Sequence, residues 1–311
     1  MSDLFTEPVL TALIAGAVLS MMPIMLAALG ESISEQAGVL NVGLEGMMLF
    51  GAYAGFNAAY YLHSSWLGLL AGALGGMLAA VVMVVLCVQM RLDQIVVGVA
   101  LFLFGEGVTS LLHGAQFGTD YPRIGDVVEL KIPALSEIPV VGESIFHAHP
   151  IVYIGIALVL GARWMLKNTS LGLSLRAAGE TPAALDAAGV DVTRTRTLAV
   201  LACGALAGIG GGYMAVISAG TFTPMMTQGA GFIAIVLAML ARGKVLWVIG
   251  LSFLFGISLS ISTALQLAGI RISTDVVTIL PYATVIVVLI LFARRSYLPS
   301  ALALPYFRGE R

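Results

Sequence analysis

Gly30-Glu31-Ser32-Ile33-Ser34-Glu35-Gln36-Ala37-Gly38-Val39-Leu40-Asn41-Val42-Gly43-Leu44-Glu45-Gly46-Met47-Met48 sets three carboxylates and an asparagine between two long apolar runs. Hydrocarbon charges several kcal/mol for each polar group left unsatisfied, so such a segment must line something polar. The chain around it is 311 residues long, 59% apolar and only 10% charged, with a mean hydropathy of +1.01. That balance excludes an ordinary soluble domain and indicates a multi-pass membrane protein.

A hydrocarbon core of about 30 Å takes about 20 residues of helix to cross. Apolar runs of that order fall at 9–29, 40–61, 66–90, 94–112, 150–166, 198–218, 229–241, 245–267 and 276–293. They predict an all-α polytopic protein of about nine transmembrane helices. Residues 1–311 then form a single transmembrane domain, with an external loop over 113–149 and a cytoplasmic loop over 167–196. The bases set the direction of threading. With Met1 outside, Arg91, Arg163, Lys167, Arg176, Arg194, Arg196, Arg242, Lys244, Arg294, Arg295, Arg308 and Arg311 are cytoplasmic. Arg123, Lys131 and Arg271 remain outside, and the opposite threading would invert this excess. The N terminus is therefore expected outside and the C terminus in the cytoplasm. Asp3 and Glu7 with no base before the first run do not resemble the start of a cleaved signal peptide, so the first helix is expected to stay. Since the bases report topology, a net charge of −2 gives no sign of a nucleic-acid partner.

Cys87 and Cys203 fall inside predicted helices and read as small buried residues rather than a disulfide or a metal site. The outer loop is long, with a turn-rich apolar stretch at 132–142, and reads as a functional or partly helical cap. Its His113, His147 and His149 are widely separated and lack a Cys or carboxylate at ligand spacing, so they read as surface histidines. In the inner loop Glu180-Thr181-Pro182-Ala183-Ala184-Leu185-Asp186-Ala187-Ala188-Gly189 predicts a short helix. Thr181 is its N-cap, Pro182 its first helical residue, and Gly189 stands past its end. So short a helix frays in isolation, so something must hold it. Its small side chains suit a groove of another protein; the alternative is an ordinary connecting helix.

Several chemistries are missing. Arg242-Gly243-Lys244-Val245 lacks the loop and hydroxyl of a P-loop, no His-Glu-x-x-His helix occurs, and no Gly-x-Ser-x-Gly triad is recognisable. The chain is expected to bind no cofactor and to perform no covalent chemistry. Glycines at 68, 72, 75 and 76 read as helix-packing devices, with 208–212 as the expected flexible point. Asn41 and Glu45 stand four apart on one helix face, and Glu106 lies near mid-membrane. Intramembrane carboxylates either line a cavity or are buried structurally between helices. Phe50, Tyr53, Asn57 and Tyr60 form a stripe in which Tyr53 and Asn57 suit stacking on a planar or sugar-ring solute, packing being the alternative.

The segment at 30–48 resembles the signature of bacterial ABC-importer permeases of the branched-chain amino acid and ribose superfamily. Its Ser-Glu-Gln-Ala-Gly-Val-Leu-Asn-Val-Gly-Leu-Glu-Gly-Met-Met form is similar to the nucleoside-importing branch. Residues 135–146, 172–189, 229–238 and Leu280-Pro281-Tyr282 extend the likeness over nearly the whole chain. The resemblance is to relatives expected to be without the extra N-terminal helix of the ribose-type ones, in keeping with an outside N terminus.

The resemblance implies that 180–189 is the coupling helix that docks on an ATP-hydrolysing subunit, with Mg-ATP bound on that partner. It also implies that 36–45 lies near the cytoplasmic gate, so that Asn41, Glu45, Tyr53, Asn57 and Glu106 are the candidate path residues. An external solute-binding lipoprotein, a second and paralogous permease chain, and a bacterial cytoplasmic membrane complete the expectation. Sugar or branched-chain amino acid import is the nearest alternative. An ion-coupled secondary transporter would need a coupling-ion site, for which Glu106 is the one suitable carboxylate; a sensor or assembly subunit would carry no solute.

Overall fold

The computed structural model describes residues 6–125, 130–131, 141–267, 274–292 and 298–308. These are helical apart from a two-residue antiparallel pair, β1 (Leu130–Lys131) with β2 (His147–Ala148). The helices are α1 (Glu7–Gln36), α2 (Leu44–Leu62), α3 (Ser65–Met83), α4 (Gln94–Phe117), α5 (Val141–Phe146), α6 (Ile151–Asn168), α7 (Ser170–Glu180), α8 (Pro182–Ala187), α9 (Val192–Tyr213), α10 (Ala230–Ala241), α11 (Leu246–Leu267) and α12 (Thr274–Phe292). π-Helical turns continue α3 over Val84–Gln89 and α9 over Met214–Ser218. Each of the nine predicted apolar runs contains a helix among the described residues, but 40–43 precede α2, so Asn41 does not share a helix face with Glu45 as expected. With their π-turns, α1, α3, α4, α6 and α9 are long and apolar enough to cross a bilayer, and α10, α11 and α12 supply shorter apolar stretches. The chain is a multi-pass membrane protein.

α1 is the centre. Every residue from Met21 to Gln36 is buried, the polar Glu31, Ser32, Ser34, Glu35 and Gln36 included. It packs on α9, α11 and α10, while α2 packs on α3 and α9. By contrast α4 leaves Leu103, Phe104 and Leu111 exposed, the surface that hydrocarbon or another apolar helix covers.

The glycines at 208–212 are not a flexible point. They lie inside unbroken α9, where a Cβ on Gly208 would strike the backbone of Gly72 and Gly76, and one on Gly211 the carbonyl of Met48. Three helices touch backbone to backbone here, so the cluster is a packing seam.

The outer region also differs from expectation. α4 runs on through His113 to Phe117, and His113 and His149 are buried rather than on the surface. His113 stacks on Tyr121 with ring centroids 5.3 Å apart, and His149 Nδ1 accepts from the Ile151 N–H at the start of α6. Beyond α4 the chain is tied to the segment after α9: Ile124 N–H donates to Gly220 at 2.8 Å and Thr221 Oγ1 to Pro122 at 2.9 Å. Most of the predicted cap at 132–142 lies outside the described residues, as do Arg271, Arg294, Arg295 and Arg311.

Candidate functional site

α1 ends in a left-handed glycine, Gly38 (φ +86°), whose N–H donates to Glu35 while the Val39 N–H returns to Ser34. The chain then leaves helix until Leu44. Irregular backbone at this depth requires protein partners, and side chains from distant elements supply them. Leu40 N–H donates to Gln94 Oε1 at 2.8 Å, and Asn41 N–H to Glu31 Oε1 at 3.1 Å. The polar surroundings that the quoted stretch demanded are, for Glu31, its own backbone.

Glu45 follows the same logic. Its Oε1 accepts from Thr227 Oγ1 at 2.5 Å and from the Gly229 N–H at 2.8 Å, while Oε2 accepts from the Gly231 N–H at 2.6 Å. Three donors and no acceptor suit a carboxylate, placed where the first N–H groups of α10 would otherwise be orphaned and where a helix favours negative charge. Gly231 has no room for a Cβ, which would fall 2.6 Å from the Glu45 Cα. Asn41 is fully buried, with Nδ2 against the sulfurs of Met47 (3.2 Å) and Cys203 (3.3 Å). Neither Asn41 nor Glu45 reaches an aqueous surface in this conformation.

The other three candidates are less buried. Tyr53, Asn57 and Glu106 are half-buried along α2 and α4. Tyr53 donates to Gln116 Oε1 at 2.7 Å, and Asn57 Nδ2 to the Tyr53 carbonyl at 2.9 Å. Phe50 lies 6.1 Å from Phe104. The structure thus separates the five residues into a fully buried pair and three half-buried residues.

A cavity of about 330 Å³ lies elsewhere, between α1, the π-turn after α9, the segment at 226–230, α11 and α12. Ser20, Ser218, Thr227, Gln228 and Tyr282 give it polar groups, and Met214, Met226 and Phe255 apolar wall. Pro23 and Pro281, each inside a helix, line it as well. A helix-interior proline leaves the carbonyl four residues earlier without its N–H donor. The volume sits at the lower end of the range for small-molecule sites, about 300–1,000 Å³. Sequence reasoning missed these residues, although two interior prolines and the short run after Gly229 were the available signals. Glu45 bears on this site indirectly, because it holds the segment from Thr227 to Gly231 that forms one wall.

The short inner helix is present as α8, with Pro182 in its first turn and Gly189 left-handed beyond its end. Thr181 stands at the N-cap but makes no side-chain cap bond; its carbonyl accepts from Ala184 and Leu185 instead. Ala183, Ala184, Ala187 and Ala188 are exposed or half-buried, whereas Leu185 is buried with Ala178, Val192 and Tyr306.

The C-terminal tail braces the end of α7 and reaches α8 itself through Arg308 and Tyr306. Ser300 Oγ donates to the Glu180 carbonyl, Ala301 N–H to Gly179 at 2.8 Å and Ala303 N–H to Gly38 at 3.1 Å, and Arg308 pairs with Asp186 at 3.3 Å. Buried Arg196 donates from Nη1 to Leu304 and from Nη2 to Ala178, joining tail, α7 and α9 at one guanidinium. Among the described residues no group of His, Cys, Asp and Glu side chains has the arrangement of a metal site.

The sequence profile described as "branched-chain amino acid transport system / permease component" matches residues 13–290, and the chain belongs to that family. It is 33% identical to TsgC13 of Haloferax volcanii, provisionally named a glucose ABC transporter permease protein, over 92% of this chain and 94% of the relative. It is 31% identical to the guanosine ABC transporter permease protein NupQ of Bacillus subtilis, over 97% and 98%. It is 30% identical to the nucleoside ABC transporter permease protein NupC of Lactococcus lactis, over 97% and 98%. No solved structure matches the chain.

Proposed function

We propose that this permease passes nucleosides inward across a bacterial cytoplasmic membrane, with its N terminus outside and its C terminus in the cytoplasm. The observation that carries the solute class is the 330 Å³ cavity, where hydroxyl and amide groups stand beside Tyr282, Phe255 and two methionines. Flat apolar surface suits a nucleobase, and the hydroxyls and Gln228 amide suit a ribose. The naming of NupQ and NupC supports the same solute, and that of TsgC13 supports a sugar. Glu45 organises the cavity wall, while Tyr53, Asn57 and Glu106 face the second, paralogous permease across the path. The Glu106 carboxylate, half-buried in an apolar helix, needs such a polar neighbour.

In this reading the exposed alanines of α8 enter a groove of the ATPase subunit, which binds and hydrolyses Mg-ATP. The tail fastens the end of α7, which leads straight into α8, to the break after α1, so movement of α8 reaches that break through α7. An external lipoprotein delivers solute, and alternating access follows from the two states that ATP binding and release favour in turn.

Uptake of labelled guanosine, uridine, glucose and leucine by cells with and without the gene tests the reading. Gene-dependent, vanadate-sensitive nucleoside uptake, weakened by Gln228→Ala, is expected. Gene-dependent glucose uptake without nucleoside uptake would transfer the proposal to sugars, and uptake unaffected by vanadate would refute an ATP-driven importer.

A further inference from the structure

The bases on the α8 side of the molecule fall into two groups. Arg91 lies 4.5 Å over the ring of Phe307, Arg176 donates to Gly172, Arg194 pairs with Asp191, Arg308 pairs with Asp186, and Arg196 is spent on carbonyls. Arg163, Lys167, Arg242 and Lys244 have no hydrogen-bonded or ion-paired side chain among the described residues. All four border concave surface; Arg176 does too, in a separate groove where Arg242 and Glu180 also stand.

Arg163 and Lys167 stand one helical turn apart at the end of α6, facing Lys244 across a groove of about 210 Å³. Leu166, Leu246 and Trp247 form its apolar walls. On the other side of the same turn, Arg242 and Lys244 border a second groove of about 120 Å³ with Leu240, Leu251 and again Trp247. No carboxylate lines either groove among the described residues. The bases are held in place by a tight α10–α11 turn in which Arg242 and Gly243 are both left-handed, closed by a 2.8 Å bond from the Lys244 N–H to Ala241.

A soluble phosphate would answer the charges but leave the apolar walls bare. A second protein's acidic segment would meet them only by entering the edge of the bilayer, where the apolar run of α6 ends and that of α11 begins. We propose that the two grooves form a binding site for an anionic phospholipid. Arg163, Lys167 and Lys244 hold its phosphodiester, Arg242 adds charge at the second groove, and the acyl chains follow Leu240, Leu251 and the Trp247 ring. Basic pockets between helices at the membrane surface bind acidic headgroups in this way, and a tryptophan at headgroup depth anchors the boundary. An occupied site ties α6 to the turn that ends α10, the helix whose other end Glu45 holds.

The test uses the full chain, purified in neutral detergent and examined by native mass spectrometry with phosphatidylglycerol and phosphatidylcholine of equal acyl length. Retention of phosphatidylglycerol should exceed that of phosphatidylcholine by about five-fold or more, the order expected of each base near an anionic headgroup. Lys167→Gln with Lys244→Gln should abolish the preference, whereas Lys167→Arg with Lys244→Arg should keep it. A measurement that needs no variant is salt: the preference should shrink as ionic strength rises toward 1 M, where screening acts within about 3 Å. Equal retention of the two lipids, or a preference untouched by both salt and the glutamines, overturns the site. Inorganic phosphate displacing phosphatidylglycerol at millimolar concentration would assign the bases to a free anion instead, and overturn the lipid.

Discussion

Glu45→Gln separates a structural carboxylate from a path-lining one. The amide places an oxygen at only one of the two positions that now accept, and an NH2 at the other. If the oxygen meets Thr227 and Gly229, the NH2 confronts the Gly231 N–H; in the opposite orientation the Gly229 N–H is orphaned. Either way one buried N–H goes unpaired, at about 1–3 kcal/mol. The lost charge at the start of α10 adds about 0.3–1 kcal/mol. The expected loss is therefore about 3 kcal/mol, or a melting temperature roughly 6 °C or more lower. Glu45→Ala orphans all three donors and should cost more. Melting of the purified permease in detergent reads the stability, and uptake should fall in parallel through a raised KM as the cavity wall from Thr227 to Gly231 loosens. A cysteine substituted for Glu45, in a background without Cys87 and Cys203, should resist aqueous thiol reagents. Wild-type melting of the Gln variant, together with ready labelling of the Glu45→Cys variant, would refute the reasoning and return Glu45 to the solute path.

Ending the chain after Leu298 removes the bonds to Gly179, Glu180, Gly38 and Asp186; uptake per ATP hydrolysed should then drop several-fold, and an unchanged ratio would exclude the tail from coupling. Ala184→Glu or Ala188→Glu should leave membrane insertion intact and uncouple hydrolysis from uptake, since both alanines are exposed on α8; unaltered uptake and ATPase stimulation would show that this face is not the contact. Gly211→Ala drives a methyl into the Met48 carbonyl and should cost about 1–3 kcal/mol of stability as an overpacked contact, read as a lowered melting temperature. Cysteines replacing Thr119 and Thr193, both exposed, should label from opposite sides of the membrane; labelling of both from outside would overturn the threading.

The helices were legible because the hydrophobic period and the length of each run are local properties. The observed ends depart from the runs chiefly where polar residues continue a helix, as in α1, which carries Glu31 and Glu35 inside its buried last turns. The break after Gly38 and the short α8 were also legible, since a left-handed glycine and a proline at the first helical position act on their immediate neighbours. The partners of Glu45 were not. They lie 182 to 186 residues away, and two of the three are backbone N–H groups that every residue except proline possesses. Glycine was ambiguous for a related reason: freedom and close approach demand the same missing Cβ, and only the facing backbones of Gly72, Gly76 and Met48 decide for packing at 208–212.

These contacts limit where the proposed motion can go. The seam of α2, α3 and α9 has no space to bend within, because its glycines already touch backbone. α7, which runs directly into α8, is joined to α9 and the end of α1 by the tail and Arg196, through five bonds each worth about 0.5–1.5 kcal/mol net. Together the five reach roughly 2.5–7.5 kcal/mol, so a push on α8 by an ATPase, passed through α7, moves the tail and Gly38 with it before it detaches them. The nearest irregular backbone is the stretch from Ala37 to Gly43, where the helical ladder is interrupted and the Leu40 and Asn41 N–H groups rest on the side chains of Gln94 and Glu31. Two side-chain bonds exchange more readily than a packed helix bends, so displacement at Gly38 is taken up in this stretch and delivered to the start of α2. Glu45 stands there as the second residue of α2, gripping the wall of the cavity through Thr227, Gly229 and Gly231.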